Sequence, residues 1–320
     1  MKNDVCAFGE ILIDFTSDGT NASGTRLFAQ HPGGAPANVA VGVSRLGGKA
    51  AFIGKTGDDM HGTLLKGVLD EEGVDVSNLV QDDSVFTTLA FVDVNDEGER
   101  TFSFARKPGA DTQMRFEEMD KDLIDNSKIF HVGSLSLTHE PARSATYDAV
   151  DLAKDHGVMI SYDPNYRASL WDSEQTAIKF MRSLIEKADI MKISDEETAL
   201  LTDFEAPEEA AKALLDQGVS IAAVTLGSEG ALIANKEGSR RVPGFKSKVA
   251  DTNGAGDSFW SAILTQIAQS GKKADELSLD ELAEFTRFAN GVAALTVRKH
   301  GAIPAMPSFE ETVEFLAKEA

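Results

Sequence analysis

The segment Asp251-Thr252-Asn253-Gly254-Ala255-Gly256-Asp257 runs into SFWSAILTQIAQ, where Phe259, Ile263 and Ile267 recur at helical spacing. That spacing places Gly254 to Asp257 at a helix N-terminus. The first amides of a helix lack intrahelical acceptors and carry partial positive charge, so they suit an anion. Gly254 and Gly256 let the backbone approach a phosphate closely. Asp257 then stands as a carboxylate beside the anion, the arrangement needed to take a proton from an alcohol next to a bound phosphoryl group. The same residues also compose an ordinary acidic helix start punctuated by glycine, and the segment alone does not choose between the two.

A second constellation is His31-Pro32-Gly33-Gly34-Ala35-Pro36-Ala37-Asn38. Pro36 suits a helix start. Gly33 and Gly34 permit unusual backbone angles or close approach of a ligand, and Asn38 offers both a donor and an acceptor, which suits a sugar hydroxyl. A bare loop-to-helix turn would use the same residues. Further polar residues follow apolar runs: Asp14 after ILI, Asp163-Pro164-Asn165-Tyr166-Arg167 after MISY, Ser194 and Glu197 after IMKI, and Thr225-Leu226-Gly227-Ser228-Glu229-Gly230 after AAV. In an open parallel sheet, ligands bind beyond the carboxyl ends of the strands, so the joint placement of these residues means more than any one of them.

Such residues need a frame. Short apolar runs (VCAFGEILIDF, Ala51-Phe52-Ile53, IFHVG, VMISYD, ADIMKIS, IAAVTLG) mostly precede helix-like stretches such as 36–46 and 60–72. That alternation predicts an α/β fold, a mostly parallel sheet covered by helices on both faces. One region breaks the rhythm. Thr87 to Val94 alternates like a strand, Asn95-Asp96-Glu97-Gly98-Glu99 supplies a turn, and Arg100 to Arg106 reads as the returning strand. With the polar, non-helical stretch from Phe15 to His31, it predicts a small β-structure that leaves the main sheet and returns. The division expected is residues 1–14, 33–85 and 112–320 for the main domain, with 15–32 and 86–111 forming a β lid hinged on it.

The 320 residues hold 52 acidic against 31 basic side chains, a net charge of -21. That disfavours nucleic acid or an anionic membrane as partner, since both need a positive surface. It also requires a locally positive site if the substrate is an anion, and Arg106 and Arg167 are the candidates. No run approaches the ~20 apolar residues that span a bilayer, and no signal-peptide core is evident, so the cytoplasm is the expected compartment. The lone cysteine, Cys6, sits in an apolar run and is expected in the core. Gly54-Lys55-Thr56 imitates the end of a Walker A loop, but position 49 is Lys. No dinucleotide fingerprint follows Gly9. H-E-x-x-H and G-x-S-x-G are absent, and the histidines are dispersed.

Taken together, GGAPANVAVGVSRLGGKAAFIGKTGDDMHG (33–62) and DTNGAGDSFWSAIL (251–264) resemble the two signatures of the ribokinase/PfkB family of carbohydrate kinases. The resemblance continues through FANGVAALTVRKHGAIPAMP (288–307). YDPNYRASLW (162–171), KISDEETALLT (192–202) and FHVGSLSLT (130–138) are most similar to the fructokinase branch. The family's Asn-x-x-Glu motif appears here as Ser194-Asp195-Glu196-Glu197, with Ser in place of Asn, which leaves the role of Ser194 open.

The resemblance implies a ribokinase-like fold with a β-sheet lid, and it implies roles. Asp257 would be the base, with the amides of Gly254, Ala255 and Gly256 as the anion hole. Asp14, Gly33, Gly34 and Asn38 would hold sugar hydroxyls, with Arg106 reaching in from the lid. Asn165 and Arg167 would lie near the phosphates. Lys192, Ser194, Thr225, Gly227, Gly230 and Asn290 would surround ATP. Glu197 would position Mg2+ through water, and Asp251, with Asn253 and Gly301, would form a K+ site. The implied activity is transfer of the γ-phosphoryl group of ATP to a free hexose, D-fructose at O6, by a homodimer paired through its lids. The same fold acting on 2-keto-3-deoxygluconate or ribose, or a sugar-binding regulator without turnover, are the rival readings.

Overall fold

The computed structural model describes residues 2–94 and 100–319. The turn expected at Asn95 to Glu99 lies outside the described residues. The apolar run Val5 to Phe15, which reads as one strand, is in fact two. β1 (Asn3–Phe8) belongs to a large sheet and β2 (Leu12–Thr20) to a small one. The break falls at Gly9, whose φ is +154° and where a Cβ would lie 2.6 Å from Pro36 Cγ. Only glycine fits there, and the chain leaves the large sheet at that point. Asp14 consequently sits inside a strand of the small sheet, in register with His31 and Ala90, rather than at the end of a main-sheet strand.

The chain then returns through β3 (Arg26–Gly33) into α1 (Ala35–Arg45), β4 (Ala50–Gly57), α2 (Met60–Glu71) and β5 (Asp75–Asp82). It crosses back into the small sheet as β6 (Leu89–Val94) and β7 (Arg100–Ala105). The second half runs α3 (Lys121–Asp125), β8 (Ser127–Gly133), α4 (Ala142–Asp155), β9 (Met159–Asp163), α5 (Glu174–Arg182), β10 (Ile190–Ser194), α6 (Thr198–Thr202), α7 (Pro207–Asp216) and β11 (Ile221–Thr225). A hairpin of β12 (Gly230–Asn235) and β13 (Gly238–Pro243) follows, then α8 (Ala255–Ser270), α9 (Leu279–Thr296) and α10 (Phe309–Lys318).

The large sheet has the order β13-β12-β11-β10-β9-β8-β1-β4-β5, parallel except for β12 and β13 at one edge. Its inner strands are largely apolar on both faces, as a sheet sandwiched between helices requires, while the edge strands β5 and β13 are more polar and less buried. Val5, Ala7, Ile129, Ile221 and Ala223 pack with α1, α8 and α9. The alternate residues Cys6, Phe8, Phe130, Ala222 and Val224 pack with α4 and α7. Cys6 is buried, and burial pushes its thiol pKa up. The small sheet, ordered β3-β2-β6-β7, mixes one parallel pair (β2 with β6) with two antiparallel ones. Among the described residues no helix is long and apolar enough to cross a membrane.

The helix starts differ in a telling way. α2, α9 and α10 are capped by their own Asp59, Ser278 and Ser308, the usual way to satisfy the first amides. α1 and α8 begin on Gly34 and Gly254 with no side-chain cap.

Candidate active site

Chain order moves outward from the centre of the large sheet in both directions. β1 leads on to β4 and β5 on one side, while β8 to β11 extend the other. A crevice at the carboxyl ends of the strands is expected at this reversal. A cavity of about 470 Å³ lies there, between the small sheet and the head of α8. Asp14, Thr16, His31, Val92 and Phe104 of the small sheet line one wall. Gly34, Asn38, Asn165, Arg167, Asp251, Asn253 and Asp257 line the other.

The head of α8 is held by its interior. Trp260 Nε1, one turn after Asp257, donates to Ser161 Oγ of β9 over 2.9 Å, and Ser161 Oγ also meets His131 Nδ1 of β8 at 2.9 Å. His131 is buried, and burial together with Lys192 lowers its pKa to about 3, so its ring is neutral. Gly254 has φ +74°, and a Cβ there would lie 2.7 Å from Ala302 Cβ, so this cap position excludes other residues. The Ala255 amide bonds to Thr252 O at 3.3 Å. The amides of Gly256 and Asp257 have no backbone acceptor among the described residues. Gly254 N likewise has none among the described residues, so of the expected set only the Ala255 amide is spent.

Asp257 is 8% exposed. Its Oδ2 accepts from Asn38 Nδ2 over 2.7 Å, which joins the two glycine-rich motifs. Burial first, and Asp163 second, raise its pKa, against the Asn38 bond and the nearby Lys192 and Arg167. Asp14 fits because its diagonal neighbour on β3 is Gly33, where a Cβ would lie 2.5 Å from Asp14 Oδ2. Burial lifts the Asp14 carboxyl to about 6, opposed by its Asn253 hydrogen bond and by Arg167. Asn165 holds φ +47°, a left-handed turn that asparagine tolerates, and so brings the residues after β9 into the cavity wall.

Deeper under the head of α8, Lys192 Nζ lies 2.7 Å from Asp163 Oδ2, both buried. Burial works against the Lys192 charge, but Asp163 and Glu197 outweigh it and raise the pKa. The ammonium also comes within 3.1 Å of where a Cβ on Gly256 would stand. Asp163 Oδ1 is buried without a partner. Glu197 is a clamp: Oε1 accepts from Tyr166 N at 2.7 Å and Oε2 from Ser194 N at 2.8 Å. The Ser194 hydroxyl turns back to the same Oε2. Asp251 likewise pins its loop, accepting from Asn253 N at 3.0 Å and Gly301 N at 3.1 Å. Among the described residues no three His, Cys, Asp or Glu side chains form a ready-made metal cage.

Arg106 and the residues expected around ATP beyond Asn165 do not line this cavity. The Arg106 guanidinium is buried, with Nε and NH2 on Asp111 Oδ2 at 2.8 and 2.6 Å, NH1 on Thr138 Oγ1 and NH2 on Leu135 O. A buried guanidinium needs a carboxylate beside it, and Asp111 supplies one. Asn290 spends its amide on the carbonyls of Val242 and Pro243, fixing β13 to α9. Gly230 makes room for β13, since a Cβ there would lie 2.2 Å from Val242 O. Thr225 donates to Ile193 O at 3.4 Å, and Gly227 opens the turn after β11. Two acids carry no role in the sequence reading. Asp163 is visible there as a strand-end residue. Glu10 lines the cavity, and its only sequence signal is a charge within an apolar strand-like run.

A family model described as "pfkB family carbohydrate kinase" matches residues 2–308. A protein from Arabidopsis thaliana named "Probable fructokinase-2" is 44% identical over 98% of this chain and 96% of its own length. The structure superposes on that of a fructokinase with bound ATP from Xylella fastidiosa with a TM-score of 0.91 and 33% identity, covering 99% of both chains. It also superposes on a fructokinase from Vibrio cholerae O395 in its fructose, ADP and calcium ion bound form, with a TM-score of 0.89, 33% identity and 98% of both chains covered.

Proposed function

This chain belongs to the pfkB family of carbohydrate kinases, and from that premise we propose that it transfers the γ-phosphoryl group of ATP to O6 of free D-fructose. The observation that carries the reading is the head of α8: the Asp257 carboxylate lines a cavity of about 470 Å³, at a helix start where the amides of Gly254, Gly256 and Asp257 have no backbone acceptor among the described residues. Relatives and structural neighbours named as fructokinases, one with bound ATP and one with fructose and ADP, support it.

In this reading Asp14, Gly34 and Asn38 hold sugar hydroxyls. Asp257 takes the O6 proton as O6 bonds to the γ-phosphorus and the bond to the ADP oxygen breaks. The helix-start amides meet the charge on the transferring group. Lys192, between Asp163 and Gly256, faces the phosphates. The small sheet covers the cavity and excludes water, which limits hydrolysis of ATP. A neutral sugar is favoured over an acidic one because Arg106, one of the two arginines expected at the substrate, is already neutralised by Asp111.

The donor set fits Mg2+. That ion is bound through one or two carboxylates and substrate phosphates rather than by an all-protein cage, and Asp163 offers a buried oxygen without a partner beside the Glu197 clamp. The bound ion would supply charge neutralisation at the phosphates. Asp251, with Asn253 and Gly301, is the K+ candidate. A homodimer through the small sheet is part of the reading. Its inner face lines the cavity, and its outer face stacks Phe15 on Phe91 with Phe28 edge-on, the last two more than a third exposed. Light scattering of the wild type and of Phe28→Asp tests it. The cytoplasm is the compartment assigned.

The test of function is ADP release with magnesium ATP and fructose, glucose, mannose, ribose and 2-keto-3-deoxygluconate. Turnover dominated by fructose, with phosphate on O6 by NMR, is expected. Dominance of another sugar would overturn the substrate and leave the site chemistry standing.

A further inference from the structure

Glu10 stands at the junction of the two sheets, between β1 and β2, and is 3% exposed. Its Oε1 accepts the backbone amide of Ala35, 25 positions on, over 2.9 Å. Ala35 opens α1, which has no side-chain cap of its own. Gly34 is pressed against the same junction, where a Cβ would lie 2.4 Å from the Glu10 carbonyl oxygen. The Glu10 carboxylate thus does for α1 what a capping side chain does elsewhere, from outside the helix. One turn further, Asn38 N bonds to Gly34 O at 2.8 Å, which fixes Asn38 to that first turn. Its side-chain amide reaches Asp257 Oδ2 at 2.7 Å.

We propose that Glu10 is a positioning residue for phosphoryl transfer: by fixing the first turn of α1 it holds the Asn38 amide on the Asp257 carboxylate. The proposal rests on the reading of Asp257 as the base. Glu10 itself touches neither the phosphoryl group nor the transferred proton. Its contribution reaches the reaction through Asn38, whose hydrogen bond favours the charged form of Asp257. The other Glu10 oxygen has no partner. Asp111 and Arg106 act on it through space with opposite signs.

The experiment compares Glu10→Ala, Glu10→Gln, Asn38→Ala and the double variant Glu10→Ala/Asn38→Ala in the full-length protein. The readout is kcat/KM for the sugar against pH, with thermal unfolding alongside. Glu10→Ala should lower kcat/KM at least about tenfold and move the acid limb to higher pH, as Asn38→Ala does. The double variant should be no worse than Asn38→Ala alone, because the two act in series. Glu10→Gln keeps an oxygen for the Ala35 amide and should retain the wild-type limb. Additive losses, or a lower melting temperature with an unmoved limb, would overturn the proposal. So would a shifted limb in Glu10→Gln, a result that decides the matter even if Glu10→Ala fails to fold. Asp257→Asn is the separate control: turnover retained there defeats the base, not the Glu10 contact.

Discussion

The Lys192 ammonium lies 2.7 Å from the Asp163 carboxylate, Asp163 ending β9 and Lys192 standing mid-strand in neighbouring β10, with both side chains buried. Lys192→Met leaves the Asp163 charge without its cation and should cost about 3–5 kcal/mol of stability. Lys192→Met/Asp163→Asn removes the stranded charge and should recover part of that loss. Urea unfolding of the three proteins checks the sign. Equal loss in the single and double variants would mean that packing, not charge, sets the effect.

Gly254 and Gly256 should respond differently to alanine. At Gly254 the left-handed φ of +74° and the Ala302 backbone 2.9 Å from the added Cβ leave no room. Gly254→Ala should lose roughly 1–3 kcal/mol and most of its turnover. At Gly256 the added Cβ meets the flexible end of Lys192 at 3.1 Å. Gly256→Ala should keep its fold and raise the KM for ATP far more than the KM for sugar. Steady-state kinetics with each substrate varied in turn separates the two.

Stability should fall with rising pH through a window set by two acids. Burial raises Glu10 from 4.5 to about 7 and Asp14 from 3.8 to about 6. The folded state therefore binds protons that the unfolded chain releases between those limits, and stability declines as pH rises through them. Glu10→Gln resembles the protonated form. It should match the wild type near pH 5 and exceed it at pH 8 by about 1–3 kcal/mol. Urea midpoints at the two pH values test this, and a constant difference between them would remove Glu10 as the titrating group.

The alternation of strand and helix, and the two glycine-rich helix starts, were legible in the sequence because apolar periodicity and glycine placement are local signals. The break at Gly9 was not. A strand that changes sheets keeps the same apolar pattern on both sides, and only the close contact with Pro36 forces the turn. The destination of Arg106 was hidden for a related reason. Its nearness to Asp111 in sequence does not reveal that the pair is buried together and closed off by Thr138 and Leu135. Glu10 illustrates the third kind of miss. Its partner amide belongs to Ala35, and a backbone donor leaves no residue-type signal.

The central claim is that Asp257, at the head of α8, takes the proton of the attacking hydroxyl. Its most direct test is the single-turnover rate of phosphoryl transfer to fructose by Asp257→Asn, with ATP and sugar binding measured on the same sample. Asparagine preserves the shape of the side chain and removes its basicity. The account predicts a rate lowered by about 10²–10⁴-fold with both ligands still bound. A rate within a few fold of the wild type, with the same pH profile, would contradict it.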